Sequence, residues 1–342
     1  MKIKQEKIKK FISDILVGLK TKKIDANLIS SHLVKSDMCG HYSHGIRRIV
    51  QYIDSVKAGN IKINHKPTII KKDNNFIKIN ANFVFGQVAM DYCCKEIIKI
   101  KKDFCVLSLI NAAHVGRLSE YAEKLSNSGY INIIFCSGGG PNVSLYPVNK
   151  RLIGTNPISI SMPISKKKNM VLDFSTSMLA EGKVNLARET KKNLNIKAII
   201  NKKGNYSKVP SDFYNGGSLR AFGDFKGSGL AFMLELLSGM LISNNLSFKK
   251  NYKDANNCLI ICFKKNKLTN PAFLKNLSEF KSILKSSKKI KKNNNQKIFL
   301  PGEIEDINFK IAKKKGIIYK DSIIKIIKKK IQTDPALKKI TL

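Results

Sequence analysis

The stretch Phe104-Cys105-Val106-Leu107-Ser108-Leu109-Ile110-Asn111-Ala112-Ala113-His114-Val115-Gly116-Arg117 passes from a compact apolar run into a short polar turn. The apolar part predicts a buried strand over 104–110, and the pattern beyond the turn predicts a helix over 118–126. Ligands bind at strand ends in open α/β sheets, and free N–H groups at a helix start favour phosphate. Residues 111–117 are therefore a candidate binding site, although an ordinary polar turn would explain them equally well.

Upstream of this stretch, apolar residues at helical spacing predict three short helices. The first two cover 3–20 and 25–35, and the third starts after Ser43 and turns its isoleucines inward. Short connections join the three segments. The sequence therefore predicts a small N-terminal helical bundle over 1–58.

Downstream, the pattern changes to alternating or continuous apolar segments, which predict strands at 61–63, 76–79, 130–137, 158–162, 170–173 and 259–263. Further helices are predicted at 87–101 and 228–242. A Gly- and Asn-rich loop is expected at 201–222 and a solvated, mobile linker at 286–297. These elements predict an α/β fold with a mixed-sheet core over 59–300. C-terminal helices over 301–342 are expected to pack back on the N-terminal part.

The chain of 342 residues has 63 basic and 24 acidic residues, a formal charge of +39. Only six of the basic residues are arginines, and the lysines are spread along the chain together with Asn and Ile. Arginine is the residue that most often recognises base edges and binds phosphates through two parallel hydrogen bonds. No aromatic residues interleave with the basic runs, so no surface for base stacking is expected. A biased base composition of the genome therefore explains the charge better than specific nucleic-acid binding does.

The cysteines and the hydropathy pattern indicate the cellular compartment in which the protein is expected. The seven cysteines form no CxxC pair, and most lie in apolar surroundings, which is typical of a reducing compartment. The N-terminus lacks the apolar segment of a secretory signal, and no stretch approaches 18 consecutive apolar residues. We expect a cytoplasmic protein that does not cross a membrane.

The segment Gly40-His41-Tyr42-Ser43-His44-Gly45-Ile46-Arg47-Arg48 places a histidine and an arginine four residues apart. If a helix begins near Ser43, His44 and Arg48 project from one face. A guanidinium holds a carboxylate in two parallel hydrogen bonds, and an imidazole exchanges a proton at neutral pH. The pattern therefore predicts a site that binds a 2-oxo or 2-hydroxy acid. The alternative is that Ser43 caps a helix and His44 is merely half-buried.

A hydrolytic role for Ser43 and His44 is not expected from the same segment. Adjacent residues on a helix point about 100° apart, so their side chains would not meet.

Three glycine-containing stretches lack the spacing of familiar nucleotide-binding motifs. Residues 138–141 (GGGP) and 154–157 (GTNP) are not GxGxxG and indicate turns. Residues 223–230 (GDFKGSGL) surround Lys226 at a predicted helix start and could admit a phosphate or carboxylate. A flexible helix cap explains this third stretch more simply. No histidines, cysteines and acidic residues have the spacing of metal ligands, so no metal is expected.

In combination, these motifs resemble the malate/L-lactate dehydrogenase family of the non-Rossmann type. The residues that carry the resemblance are Ser43-His44-Gly45-x-x-Arg48-x-x-x-Tyr52, Asn111-x-x-His114-x-Gly116-Arg117, Gly154-Thr155-Asn156-Pro157, Asp173-Phe174-Ser175-Thr176-Ser177, Lys226-Gly227-x-Gly229-Leu230 and Pro301-Gly302-Glu303. The likeness extends over about residues 8–328. It implies that NAD or NADP binds to an unusual mixed sheet, which accounts for the absent GxGxxG.

The resemblance also implies roles for individual residues. His44 would be the proton donor and acceptor, oriented by Ser43, although family members differ over whether His44 or His114 fills that role. Arg48 would clamp the substrate carboxylate and Thr155 would contact the substrate. The cofactor would be lined by His114, Val115, Gly116, Arg117, Leu118, Ser137, Asp173, Phe174, Ser175, Lys226, Gly302 and Glu303.

The implied reaction is hydride transfer between NAD(P) and a small 2-hydroxy acid or its 2-oxo acid, in a homodimer with active sites near the subunit interface. NAD is the first choice, although no residue decides between NAD and NADP. Segments 188–216 and 244–258 depart from the family pattern, which leaves the substrate open. A cyclic imino acid is the alternative substrate, and a basic polyanion-binding protein is the alternative outside enzymes.

Overall fold

The computed structural model describes residues 1–166, 168–290 and 297–342. Its α-helices are α1 (Gln5–Gly18), α2 (Lys23–Met38), α3 (Arg48–Lys57), α4 (Gly86–Ile100), α5 (Ser119–Asn127), α6 (Glu181–Glu189), α7 (Pro210–Tyr214), α8 (Phe225–Glu235), α9 (Phe273–Ser286), α10 (Glu303–Lys315) and α11 (Asp321–Gln332). A π-helical turn over Leu236–Met240 extends α8, and short 3₁₀ helices lie at Tyr42–His44 and Lys265–Lys267. None of the helices in these ranges has the length and apolar character needed to cross a bilayer.

The strands are β1 (Lys2–Ile3), β2 (Thr68–Lys72), β3 (Phe76–Asn80), β4 (Phe104–Ala112), β5 (Tyr130–Gly138), β6 (Val143–Ser144), β7 (Pro157–Ser165), β8 (Lys168–Ser175), β9 (Ile199–Ile200), β10 (Tyr206–Ser207), β11 (Ser218–Arg220), β12 (Asn256–Lys264) and β13 (Ile317–Ile318). They form a seven-stranded sheet in the order β2-β3-β4-β12-β5-β7-β8, a four-stranded sheet in the order β10-β9-β11-β6, and the pair β1-β13.

The seven-stranded sheet is mixed. β3 and β4 run parallel because helix α4 carries the chain back between them, whereas β7 and β8 form an antiparallel hairpin. β12 comes from late in the chain and pairs antiparallel with both β4 and β5. The predicted α/β fold with a mixed sheet is therefore confirmed.

Three groups of buried side chains stabilise this arrangement. Helices α1 to α3 share one apolar cluster with α10, α11 and the segment between them. A second cluster lies between the seven-stranded sheet and helices α4 and α5. A third, smaller cluster lies under the four-stranded sheet.

Several local predictions are wrong. Residues 61–63 form a turn rather than a strand, because only Ile61 is fully buried and it ends the loop after α3. The edge strand β2 escaped prediction because all five of its residues are exposed and show no alternation. The predicted loop over 201–222 contains β10, α7 and β11, which are too short for a periodic signal.

Two other predictions concern segment ends. The third helix begins at Arg48 and not near Ser43, because Gly45 has an extended backbone that interrupts helical geometry. Half of the linker predicted over 286–297, residues 291–296, lies outside the described residues. Ser286 closes helix α9, which the sequence pattern did not predict.

The segment before α3 is attached to the rest of the protein by the buried carboxylate of Asp37. Its Oδ2 atom accepts hydrogen bonds from the backbone N–H of Ile46, at 2.8 Å, and from the hydroxyl of Tyr319, at 2.9 Å. Gly45 packs directly against this carboxylate: a Cβ atom at that position would lie 1.6 Å from Asp37 Oδ1. Only glycine therefore fits between α2 and α3.

We expect Gly45→Ala to lower the free energy of unfolding by about 1–3 kcal/mol, the usual cost of overpacking a close contact. Urea denaturation of the wild-type protein and the variant measures the difference. Combining Gly45→Ala with Asp37→Ala removes the clashing carboxylate, so the double variant should lose less than the sum of the single losses. Strict additivity would contradict the steric argument.

Candidate functional site

A cavity of about 700 Å³ lies at one edge of the seven-stranded sheet. The pairing pattern explains its position: β4, β5 and β8 all point the same way, so their carboxyl ends meet at that edge. The first residues of β7 and β12 lie at the same edge, together with the segment before α3 and the start of α6.

The structure brings most of the predicted site residues into this one cavity. Those lining it are Ser43, His44, Arg48, His114, Val115, Gly116, Arg117, Leu118, Thr155, Asp173, Phe174 and Ser175. They come from segments more than a hundred residues apart in the chain, and the sheet topology gathers them.

The side chains of Ser43 and His44 are in contact, contrary to the geometry predicted for a helix. The two residues lie in a 3₁₀ turn, and Ser43 Oγ is 3.0 Å from His44 Nδ1. The contact occupies Nδ1 and leaves the Nε2 atom of His44 for a ligand. The predicted i, i+4 relation between His44 and Arg48 on one helix is wrong, because Gly45 separates the 3₁₀ turn from α3.

Arg48 is nevertheless held beside this turn by its own hydrogen bonds. Its Nε donates to the carbonyl of Ser43 at 2.7 Å, and its Nη1 donates to Gln51 Oε1 at 2.7 Å. Within the described part of the chain, Nη2 has no hydrogen-bond partner. A fixed guanidinium with a free nitrogen in a cavity suits a carboxylate ligand. The neighbouring Arg47 points away and donates to Glu189 of α6.

His114 lies against His44, with ring centroids 5.6 Å apart and the ring planes within 25° of each other. Its Nδ1 is 2.9 Å from the hydroxyl of Tyr52, which in turn accepts a hydrogen bond from Gln87 Nε2. Burial raises the pKa of Tyr52 to about 12, so this hydroxyl keeps its proton and donates it to His114. In the neutral ring, the hydrogen of His114 is therefore on Nε2.

Both histidines are neutral at pH 7 in this arrangement. Burial lowers the pKa of His44 and of His114 well below the ordinary value of 6.5, and the positive charge of Arg48 lowers each pKa further. An anionic ligand on Arg48 would cancel part of this effect and raise both pKa values again.

The turn after β4 is shaped by His32 of α2. Gly116 has a φ of +80°, and a Cβ atom there would lie 2.3 Å from His32 Nε2. Burial lowers the pKa of His32 to about 3, so the ring is neutral and its Nε2 accepts the backbone N–H of Arg117 at 3.1 Å. Glycine is required at 116 because the backbone has a positive φ and because a Cβ atom would clash with His32.

Arg117 is 4% exposed and carries two buried donors, Nε and Nη1, that have no partner within the described ranges. Its Nη2 donates to Glu120 at 3.2 Å. Nearby, Asp173 accepts the backbone N–H of Ser119 at 2.7 Å and so caps the start of α5. Buried guanidinium donors without acceptors leave room for an anionic group of a ligand.

Four predicted cofactor residues do not line this cavity. Ser137 is buried and donates to the carbonyl of Ser238, and Lys226 is exposed on α8. Gly302 lines an adjoining cavity of about 600 Å³, which shares His41, Arg117 and Asp173 with the first. Glu303 follows Gly302 and lines a separate surface cavity.

Sequence reasoning missed several residues that complete the site. Gln51, Asn142, Glu181, Lys183, Tyr214, Asp254 and Asn256 all line the main cavity. Asn256 accepts the N–H of Val115 and donates to the carbonyl of Ser137, so it bridges the ends of β4 and β5. In the sequence, only the position of Asn256 at the start of a strand could have indicated that it belongs to the site. Over residues 1–166, 168–290 and 297–342, no group of three or more His, Cys, Asp or Glu side chains could hold a metal ion.

Comparisons with known proteins identify chains of similar sequence. A malate dehydrogenase of Pyrococcus horikoshii is 30% identical over 250 residues, 70% of this chain and 69% of that protein. A malate/(S)-sulfolactate dehydrogenase of Methanothermus fervidus is 29% identical over 332 residues, 96% of each chain. A Δ1-pyrroline-2-carboxylate reductase of Agrobacterium fabrum is 29% identical over 205 residues, 59% of each chain.

Solved structures show the same fold. Malate dehydrogenase from Entamoeba histolytica matches with a TM-score of 0.90 at 22% identity, over 100% of this chain and 99% of that one. Sulfolactate dehydrogenase from Methanocaldococcus jannaschii matches with a TM-score of 0.84 at 26% identity, over 97% of each chain.

The family model for malate/L-lactate dehydrogenase matches residues 3–328. This range includes every motif on which the resemblance was based, and the prediction of the family is confirmed. The chain belongs to the malate/L-lactate dehydrogenase family.

Proposed function

We propose that the chain is an NAD(P)-dependent dehydrogenase that interconverts a small 2-hydroxy acid and its 2-oxo acid by hydride transfer. The observation that carries the proposal is the Arg48 guanidinium fixed beside the His44–His114 pair in one cavity. A carboxylate clamp next to a proton-exchanging ring is what a 2-hydroxy acid requires.

The residues at the sheet edge fit a nicotinamide cofactor. The buried Nε and Nη1 donors of Arg117 need an acceptor, which a phosphate group would supply. Gly138 leaves no space for a Cβ atom, which would lie 2.1 Å from the carbonyl of Ala255, so the backbone there is closely packed under the cavity. When bound, the cofactor would exchange a hydride with C2 of the substrate. Arg117, Asp173 and the turn at Gly116 would hold it.

We propose NAD rather than NADP as that cofactor. The adjoining cavity, shared through Arg117 and Asp173, is lined by the carboxylates of Glu123, Glu305 and Asp306. Two lysines line it as well: Lys35, which is paired with Glu120 and Glu123, and Lys168, which is exposed. Carboxylates near a ribose accept hydroxyl hydrogens and repel an additional phosphate.

In this mechanism Arg48 orients the substrate. Its Nε and Nη1 are fixed by Ser43 and Gln51, so the unpartnered Nη2 and the remaining hydrogen on Nη1 would bind the carboxylate. Thr155, which lines the same cavity, would contact the same substrate. Fixing the carboxylate sets the position of C2, and orientation of this kind contributes much of the rate.

His44 would move the proton. Its Nδ1 is held by Ser43, so Nε2 would accept the hydroxyl proton when the hydroxy acid is oxidised. Because the pKa of His44 is lowered, the ring is neutral at pH 7 and ready to act as a base. In the reverse direction the ring must first be protonated, and the negative charge of a bound 2-oxo acid favours that form.

His114 would assist rather than replace His44. Because Tyr52 donates to its Nδ1, the hydrogen of His114 is on Nε2, where the ring donates a hydrogen bond and cannot accept one. We therefore propose His44 as the acid/base residue and His114 as a hydrogen-bond donor to the substrate or cofactor.

The proposal is tested by NADH and NADPH oxidation against 2-oxo acids and cyclic imino acids. We expect turnover of 2-oxo acids with NADH. A cyclic imino acid such as piperideine-2-carboxylate is the alternative, favoured by the relative named as a pyrroline-carboxylate reductase. Turnover of imino acids alone would establish that alternative.

We expect His44→Ala to lower turnover by about 10²-fold, the usual contribution of an acid/base residue. In wild-type protein, kcat/KM for oxidation should rise with pH until His44 is deprotonated, at a pH below 6.5, and then stay level. The variant should lose this rise. His65→Ala, which changes an exposed histidine, is the control. Loss of the rise in His114→Ala with its retention in His44→Ala would reverse the two roles.

Arg48→Lys should raise KM for the 2-oxo acid by about 10- to 100-fold, because a point charge replaces a two-pronged donor. The pH dependence of kcat should be retained, because His44 is intact. Steady-state kinetics at several pH values measures both effects. An unchanged KM would remove Arg48 from the substrate site.

We also propose that the protein is a homodimer joined through one face of α8. Phe225 is 65% exposed, Phe232 45% and Met233 48%, and they lie on one side of the helix. A Cβ atom on Gly229, between them, would meet nothing within 4 Å. An apolar patch of this kind is typical of an interaction surface.

Phe232→Glu should halve the solution mass from two chains of 38.4 kDa to one, because a charge cannot be buried unpaired in such an interface. Analytical ultracentrifugation measures the mass. Phe76→Glu, at an exposed phenylalanine on β3, should leave the dimer intact. A wild-type protein that sediments as a single chain would contradict the proposal.

For the chain as a whole we propose a helical unit over 1–58, an NAD(P)-binding unit of the non-Rossmann type over 59–300, and C-terminal helices over 301–342 that complete the first unit. The shared apolar cluster of α1 to α3 with α10 and α11 supports this division. The buried, unpaired thiols of all seven cysteines support a cytoplasmic location.

A further inference from the structure

A second cavity, of about 420 Å³, adjoins the main cavity and is lined by residues of α3, α6 and α11. Its volume is within the range of small-molecule sites in proteins. It shares Ser43, Arg48, Gln51 and Glu181 with the main cavity. The first three are joined by the hydrogen bonds that fix the Arg48 guanidinium. Arg48 and its two supports therefore form a wall common to both cavities.

Part of the lining of this second cavity is apolar. Helix α11 contributes Ile323, Ile326 and Ile327, and α3 contributes Val50. Ile326 is 41% exposed, so the protein does not bury this surface completely by itself. A ligand with an apolar body would gain free energy by covering it.

Two polar atoms of the lining residues are buried without a hydrogen-bond partner in the described part of the chain: Arg47 Nη1 and Asn185 Oδ1. Arg47 uses its other terminal nitrogen, Nη2, to donate to Glu189 at 2.7 Å. A buried donor or acceptor without a partner costs free energy. A head group that accepts from Arg47 and donates to Asn185 would satisfy both atoms.

The charges around the second cavity favour a neutral ligand. The ionisable side chains that line it are Arg47, Arg48, Asp54, Glu181 and Glu189. Lys330 pairs with Asp54 and brings the formal charges into balance. The cavity therefore has no excess positive charge with which to bind an anion, and a neutral ligand avoids the cost of removing a charge from water.

We propose that the second cavity binds a small neutral molecule with an apolar body and a head group that both accepts and donates a hydrogen bond, either a carboxamide or an alcohol. The head group bonds to Arg47 Nη1 and Asn185 Oδ1, and the apolar body covers the isoleucines of α11. This site is separate from the substrate and cofactor sites, and its occupation does not depend on the proposed function.

A ligand in the second cavity would also act on substrate binding, because Arg48 lines both cavities. An apolar body displaces water from the guanidinium, and a lower local dielectric strengthens the attraction between Arg48 and a carboxylate in the main cavity. We expect the ligand to lower KM for the 2-oxo acid by about fivefold, at the lower end of the usual coupling between two sites.

Isothermal titration calorimetry of purified full-length protein with hexanamide and with hexan-1-ol tests the site. Each compound should bind once per chain and displace the other, and the tighter of the two identifies the head group. Hexanoate should displace hexanamide at least about tenfold less effectively, because its charge must be desolvated. Absence of binding by both neutral compounds, or equally effective displacement by hexanoate, would contradict the proposal.

Matched variants connect binding to the two unpaired atoms. Asn185→Leu removes the acceptor and should weaken binding of both probes by about tenfold. Its unfolding temperature should not fall, because Asn185 Oδ1 has no partner to lose within the described ranges, whereas loss of a structural hydrogen bond would lower it. Arg47→Lys keeps the charge beside Glu189, removes Nη1 and should also weaken binding. Asn276→Leu, at an exposed asparagine of α9, is the control and should leave binding unchanged.

Kinetics with and without saturating hexanamide test the coupling to Arg48. Wild-type KM for the 2-oxo acid should fall when hexanamide is present, and the effect on Asn185→Leu should require about tenfold more hexanamide. An unchanged wild-type KM at saturation would contradict the coupling. Protein that binds hexanamide as expected but turns over no 2-oxo or imino acid would contradict the proposed function and leave this site established.

Discussion

The pairing of β12 between β4 and β5 is the constraint on which the rest of the structure depends. β4 and β5 are joined by α5 and run parallel, so without β12 their facing N–H and C=O groups would be unpaired in the core. Antiparallel insertion of β12 satisfies both strands. It also places the start of β12 beside the carboxyl ends of β4 and β5, where Asn256 joins them by two hydrogen bonds. The cavity opens at this junction.

The site combines rigid supports with cationic groups whose hydrogen-bond donors are not all used. Asp37, His32 and Tyr52 each use a buried hydrogen bond to fix a neighbouring turn or ring, and none of them lines the cavity. Arg48, Arg117 and Lys183 in contrast have donors or charge without a partner inside the described part of the chain. Such groups are costly in the free protein, so the cavity is suited to anionic ligands.

Neutral histidines next to a fixed arginine explain how the same residues could serve both directions of a reaction. Arg48 lowers the pKa of His44 in the free protein, and a bound carboxylate reverses the effect. Proton affinity at the acid/base residue is thus coupled to occupation of the carboxylate site. The coupling follows from electrostatics alone and requires no movement of the backbone.

Much of the fold could be predicted from the sequence because its apolar segments are long and periodic. The strand over 104–110 and the helix over 87–101 were each predicted to within about two residues, since burial of a whole face produces a readable pattern. Elements without such a face were missed, among them the fully exposed β2 and the two- and three-residue strands of the small sheet. Their pairing depends on partners that are distant in the chain.

The sequence by itself determined which residue types belong to the site, because a carboxylate clamp, a proton-exchanging ring and close backbone turns each require particular side chains. It could not determine how those side chains meet. Gly45 interrupts the helix expected from Ser43 onward, and a 3₁₀ turn brings Ser43 and His44 into contact. Lys183 lines the same cavity, where Gly182 of α6 packs on Ser43. Such contacts between segments far apart in the chain follow from strand order and packing, which no local pattern encodes.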